Sequence, residues 1–294
     1  AKTYRGICAG LVLWHSQYLG YPFMEAIVIL TSVNGGSLIG LIARGSLVDG
    51  DTDYISTQAT SRIPLYVASG LLGIAIITSF GVSLVYGSRE DKLVRSMVAQ
   101  KSMTPGAYVT VVFVRSLFFG TIQAISWFIP LLFISGLDGT NSLEFILNAS
   151  FYGASWTCFC SFVALATPAA YSAQVVVVLD CYSLLMSGIM YEWDTMSKFF
   201  QVLHYINILF YYCSNGSHLL LEDYDTKCDE NKEMLHPSQC ASGQRVLEMY
   251  SIQQITSQQA IAAGVCYFAI ALAGFFFVLR RIAGYKRLRG AGKT

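Results

Sequence analysis

The sequence predicts an all-α integral membrane protein that crosses the bilayer six times, and three observations predict it. Hydrophobic residues make up 54% of the 294 and charged residues 13%, where about a quarter would be charged in a soluble domain. The apolar residues come in charge-poor blocks of about 20 or more, the length a helix needs to cross about 30 Å of hydrocarbon. When six spans are drawn, most of the basic residues gather on one face, in the N-terminal segment, the loop after span two and the C-terminal tail.

Taken in order, the chain starts at Ala1 rather than Met, which reads as a processed or trimmed start, and carries Lys2 and Arg5 but no cleavable signal pattern. The first two spans are expected at about residues 23 to 43 and 63 to 86. Residues 87 to 107 are polar, with Arg89, Lys92, Arg95 and Lys101. Leu93, Met97 and Gln100 recur there at helical spacing with no proline before Pro105, so the segment reads as a short cytoplasmic helix. Spans three to five follow closely, at about 108 to 136, 143 to 166 and 169 to 190. Phe199 to Leu221 is apolar but broken by Asn207, Asn215, Gly216 and His218, so residues 199 to 221 read as a re-entrant or interfacial hairpin. A seventh span here would split the basic groups between faces. An acidic outer loop, 222 to 250, precedes the sixth span at about 258 to 279 and a tail holding Arg280, Arg281, Lys286, Arg287, Arg289 and Lys293. Asp49, Asp51, Asp53, Asp138 and Glu144 share the outer side with that loop, which places both termini on the cytoplasmic or topologically equivalent side. The whole chain, 1 to 294, is read as a single transmembrane domain.

The net charge of +1 gives no reason to expect nucleic acid as a partner. His15, His204, His218 and His236 are scattered, with no HExxH or GxSxG context, so no catalytic residue and no metal site is assigned. No complete P-loop is present. The closing Gly292-Lys293-Thr294 is the end of a basic tail in which Arg287 stands where the first glycine of GxxxxGK[ST] is needed. The residue most at odds with its surroundings is Asp180, a carboxylate near the middle of span five that costs several kcal/mol unless paired, protonated or wetted. It serves either as a polar handle or proton-linked group in a cavity, or as a hydrogen-bond partner of a neighbour such as Tyr171, Gln174, Tyr182 or Ser183. Arg115 is a second intramembrane charge, close enough to the cytoplasmic end to snorkel. Cys228 and Cys240, twelve apart in the outer loop, form a disulfide if that side is oxidising. The other six cysteines read as packing residues, and Asn148-Ala-Ser150 and Asn215-Gly-Ser217 are weak glycosylation sequons.

Three stretches, in this order and spacing, resemble the transmembrane domain of ABCG (White-type) ATP-binding-cassette transporters over nearly the whole chain. Arg89-Glu90 after span two, with Tyr108 at the start of span three, is similar to the family's coupling-helix segment. Ser187-Gly188-Ile189-Met190, followed by Met196, Phe199, Phe200, Leu203, Tyr205, Ile206, Phe210 and Tyr211, resembles the "SG" end of span five and the re-entrant hairpin, which closes at Leu219 to Glu222. Cys228, Cys240 and residues 242 to 252 resemble the cysteine-bearing outer loop before the last span. The chain departs from the family at Met97, where a second glutamate is common, at Asn207-Ile208 in place of "sP", and at Pro105-Gly106, which interrupts the helix leading into span three.

The resemblance implies ABCG-type exporter topology, with coupling carried by Arg89, Glu90, Arg95 and Tyr108. It also implies a cavity between two membrane halves, walled by spans two and five, with Ile77, Phe80, Leu84, Leu179, Asp180, Ser183 and Met186 as the candidate lining. The implied activity is outward transport of a lipid-like or amphipathic molecule by alternating access. Membrane lipid, a nucleotide-binding domain and a second transmembrane half, in a homo- or heterodimer, are the expected partners. No cofactor is expected on this chain, ATP and Mg²⁺ belonging to the partner domain. The alternative is an ABCG-derived structural subunit of a larger multisubunit membrane complex.

Overall fold

The computed structural model describes residues 22–47, 63–85, 91–100, 103–135, 141–168, 171–188, 197–221, 243–249, 252 and 254–291. All regular structure among them is helical: α1 (Pro22–Leu47), α2 (Ile63–Val85), α3 (Asp91–Ala99), α4 (Pro105–Ser135), α5 (Ser142–Ala166), α6 (Ser172–Leu185), α7 (Lys198–Ile206), α8 (Ile208–Leu221), α9 (Gly243–Met249) and α10 (Ser257–Ala291).

Three of these, α4, α5 and the Ser257–Ile282 part of α10, are long and apolar enough to cross a membrane. Shorter apolar stretches lie at Ile29–Ala43, Ile63–Ser79 and Ser172–Leu185, in α1, α2 and α6. The protein is therefore an integral membrane protein with an all-helical fold. The expected outer loop and the pair Cys228 and Cys240 fall outside the described residues except for α9, as do Arg89 and Glu90.

Helix α5 is the hub, packing against α4, α10, α2, α8 and α6. Its apolar stretch is 72% buried against 39% in α4 and 22% in α10, so α10 is the peripheral helix. Close approach is what lets α5 sit there. A Cβ placed on Gly120 of α4 would lie 2.5 Å from the Ala154 Cα of α5 and 2.7 Å from the Gly153 carbonyl carbon, so only glycine allows these two backbones to meet. Aromatic side chains fill the remaining volume, among them Phe128 of α4 edge-on to Phe145 of α5 with centroids 4.7 Å apart. A polar bond ties α2 to α4, where the Thr78 hydroxyl donates to Gln123 Oε1 at 2.7 Å.

Helix α4 begins three residues earlier than expected, and the local chemistry explains why. Pro105 occupies its first turn, where a missing N–H costs nothing, and the Thr104 hydroxyl accepts from Ala107 N at 3.3 Å as an N-cap. Pro105 thus starts the spanning helix rather than interrupting one. The preceding helix α3 is shorter than the 87 to 107 segment and turns a different face inward. Val94 and Val98, four apart, are buried against Tyr108 and Val112 of α4, Leu165 of α5 and Phe275 and Leu279 of α10, with Met97 half-buried beside them, while Gln100 is exposed.

Candidate functional site

Two faces of the fold collect polar groups in apolar surroundings. The first is the seam of α2 and α6. Leu72, Ile76 and Ser79 recur at helical spacing along one stripe of α2, and Ala173, Val177, Asp180 and Leu184 do the same on α6. Together they line a groove of about 270 Å³. Asp180 is 6% exposed, and its Oδ1 accepts two hydrogen bonds, from the Ser79 hydroxyl of α2 at 3.0 Å and from the indole Nε1 of Trp156 on α5 at 3.2 Å. Oδ2 receives no donor among the described residues. Ser79 is also 3.7 Å from the Cys160 sulfur of α5. Trp156 is held in turn by Tyr152, whose ring lies nearly parallel to it at 14° and 6.4 Å. A carboxylate so placed is held by charge-assisted bonds on one oxygen, on a residue that lines the groove.

The second is the junction of α7 and α8. Asn207 sits between them and works on both sides: its Oδ1 accepts from Leu209 N at 3.1 Å, capping α8, and its Nδ2 donates to the Ser183 carbonyl of α6 at 2.7 Å. The last carbonyls of α7 are taken by tyrosines from three other helices. Tyr182 of α6 donates to Leu203 O at 2.6 Å, Tyr211 of α8 donates to Tyr205 O at 3.0 Å, and Tyr267 of α10 donates to Ile206 O. Backbone that breaks its helical ladder in an apolar setting must find such partners. Gly188, at φ +85°, lets the chain leave α6 directly beneath His204, where a Cβ would come within 2.8 Å of the imidazole. Phe199, Phe200, Val202, Tyr205 and Ile206 all face outward from α7.

Of the sequence-predicted cavity residues whose side chains are described, Asp180 alone lines this groove. Ile77 and Leu179 turn one position away from it and pack against the core. Ser183 is buried, and its carbonyl is the acceptor for Asn207. Met186 caps the C-terminal end of α6, and the side chains of Phe80 and Leu84 lie outside the described residues. The partners expected for Asp180 were its neighbours on its own helix; those it has come from α2 and α5, because a carboxylate on a span facing inward meets other helices before its own turn. Of the expected coupling residues, Arg95 donates to the Leu165 carbonyl at 2.8 Å, tying α3 to the negative end of α5. Tyr108 is buried edge-on to Phe275, with centroids 6.0 Å apart.

Burial agrees with the weak reading of the two sequons. Asn148 and Asn215 are 5% and 3% exposed and donate to the Ser257 hydroxyl at 3.2 and 3.1 Å, Asn215 also reaching Ile255 O at 3.1 Å. They are interhelical amides joining α5, α8 and the start of α10, out of reach of a glycosylating enzyme. Arg115 is 6% exposed rather than snorkelling outward. Sequence reading missed Ser79, Trp156 and Tyr267, and named Tyr182 and Tyr211 without their bonds to α7; the signal available was the hydroxyl and indole groups inside apolar stretches.

Residues 7–218 match the protein family described as ABC-2 type transporter. No curated protein is matched by the chain.

Proposed function

The chain belongs to the ABC-2 type transporter family, is thereby the membrane part of an ABC transporter that works with an ATP-binding domain, and on that premise we propose that it is an ABCG-type exporter half. In this reading α1, α2, α4, α5, α6 and α10 are six spans, α7 and α8 form the re-entrant hairpin, and both termini face the cytoplasm or its equivalent. Two such halves, alike or different, enclose a path for a lipid-like or amphipathic molecule that moves outward by alternating access. ATP and Mg²⁺ are bound by the partner domain, whose motion enters through residues 87 to 107. Cys228 and Cys240 close a disulfide on the outer side.

The observation that carries this reading is the groove between α2 and α6, since these are the two helices that the ABCG resemblance assigns to the path. Arg95 supports the route of coupling. Its guanidinium fastens α3 to the end of α5, and α5 packs on both α2 and α6, so a push on α3 reaches both groove walls through one rigid helix.

Purification from the native membrane tests the proposal. An ATPase with a P-loop is expected in the same polypeptide or in stoichiometric association, and Glu90→Ala is expected to lower ATP-dependent export from inverted vesicles. Recovery in a respiratory or photosynthetic assembly without an ATPase would overturn it.

A further inference from the structure

Resting on the reading of the α2–α6 groove as a ligand path, we propose that the groove selects amphipathic molecules with a protonated amine, and that Asp180 Oδ2 is the group that receives it. Three observations lead here. The groove walls are aliphatic, set by Leu72, Ile76, Val177 and Leu184, so they favour an alkyl or aryl body. Its one acid is fixed in place, because Ser79 and Trp156 hold Oδ1 from two different helices. Oδ2 takes no protein donor among the described residues, although Asp180 is nine-tenths buried.

A carboxylate kept only for packing would be expected to have both oxygens met. Here one oxygen is fully used, while the other meets no side chain among the described residues and is not among the polar atoms shut off from the surface, on a residue that lines the groove. An ammonium supplies the missing donor and the opposite charge together. A neutral alcohol supplies a donor without the charge, and an anion or a carbonyl supplies neither. At about 270 Å³ the groove is slightly below the roughly 300–1,000 Å³ of small-molecule sites, which suits a single chain or ring with its head group rather than a folded polycycle.

The test uses the full chain with its ATP-binding partner in lipid nanodiscs, and two probes of equal length and shape, tritiated 4-phenylbutylamine and 4-phenylbutanol. Asp180→Asn keeps an oxygen for Ser79 and Trp156 and replaces Oδ2 with an amide NH₂, so the fold is preserved while the acceptor and charge are lost. Val177→Trp fills the groove from its exposed wall. The expected result is tighter binding of the amine than of the alcohol, about 10- to 100-fold loss of amine binding in Asp180→Asn with alcohol binding unchanged, and loss of both probes in Val177→Trp. If Val177→Trp removes both probes but Asp180→Asn leaves the amine preference intact, the groove is a ligand path and the amine assignment is overturned. If Val177→Trp changes binding of neither probe, or shifts only the oligomeric state because the groove seats a second copy, the reading of the groove fails as well.

Discussion

The junction of α7 and α8 and the seam of α2 and α6 solve the same problem, polar groups inside an apolar fold, in opposite ways. At the junction the polar groups are backbone carbonyls and one amide, and donors from α6, α8 and α10 converge on them. Asn207 spends its oxygen and its nitrogen on two different elements. At the seam the polar group is a side-chain carboxylate with one oxygen met by two donors and the other left to the groove. A site whose hydrogen-bonding capacity is consumed internally holds the fold. A site that is held rigid but keeps capacity in reserve is what the amine proposal requires.

The contrast breaks if the junction tolerates truncation. Asn207→Ala removes the α8 cap, about 1 kcal/mol, and strips the Ser183 carbonyl of a buried donor, about 1–3 kcal/mol more. A loss of about 2–4 kcal/mol is expected, measured by denaturant-induced unfolding in mixed micelles; a change below about 0.5 kcal/mol would mean that α7 and α8 are held by lipid contact alone. Tyr182→Phe is the milder probe. It removes one half-buried bond to Leu203 O and leaves the ring, so about 0.5–1.5 kcal/mol is expected, in keeping with interhelical bonds measured in membranes. The same assay reads it, and its effect should add to that of Asn207→Ala only in part, because both bonds fix the end of α6 to α7.

Much of the architecture was legible because lipid imposes a length scale on sequence. The apolar stretch read at 63 to 86 is the helix Ile63–Val85, and residues 199 to 221 fall in two helices, α7 and α8, divided at Asn207. Asp180 was legible for the same reason: one charge in an apolar run stands out. Its partners were not. Ser79 lies 101 positions away, and a helix that is apolar nearly all round carries no periodic mark of which side faces which neighbour. That is why Ile77 was expected where Ile76 is found, a rotation of about 100° for one residue. The face of α3 failed similarly, since Val94 and Val98 and the pair Leu93 and Met97 are equally helical in spacing.

The finest test of the contrast is the stability of Asp180→Asn, where almost no change is expected. The amide retains an oxygen that can accept from both Ser79 and Trp156, so the bonds joining α2, α5 and α6 survive. Neutralising the side chain removes the desolvation cost of the carboxylate, and exchanging a buried charge for a neutral group of the same shape is often neutral or stabilising. The two effects together predict a midpoint shift equivalent to less than about 1 kcal/mol, in the stabilising direction if any. Equal stability alongside lost amine binding would separate the two regions cleanly, because Asn207 would then carry fold and Asp180 carry ligand. A destabilisation of more than about 2 kcal/mol would place Asp180 with Asn207, as a group whose charge the helices themselves require. The same measurement repeated with 4-phenylbutylamine present sharpens the point: the amine should raise the unfolding midpoint of the native chain and leave that of Asp180→Asn where it was, since a ligand stabilises only the state that binds it.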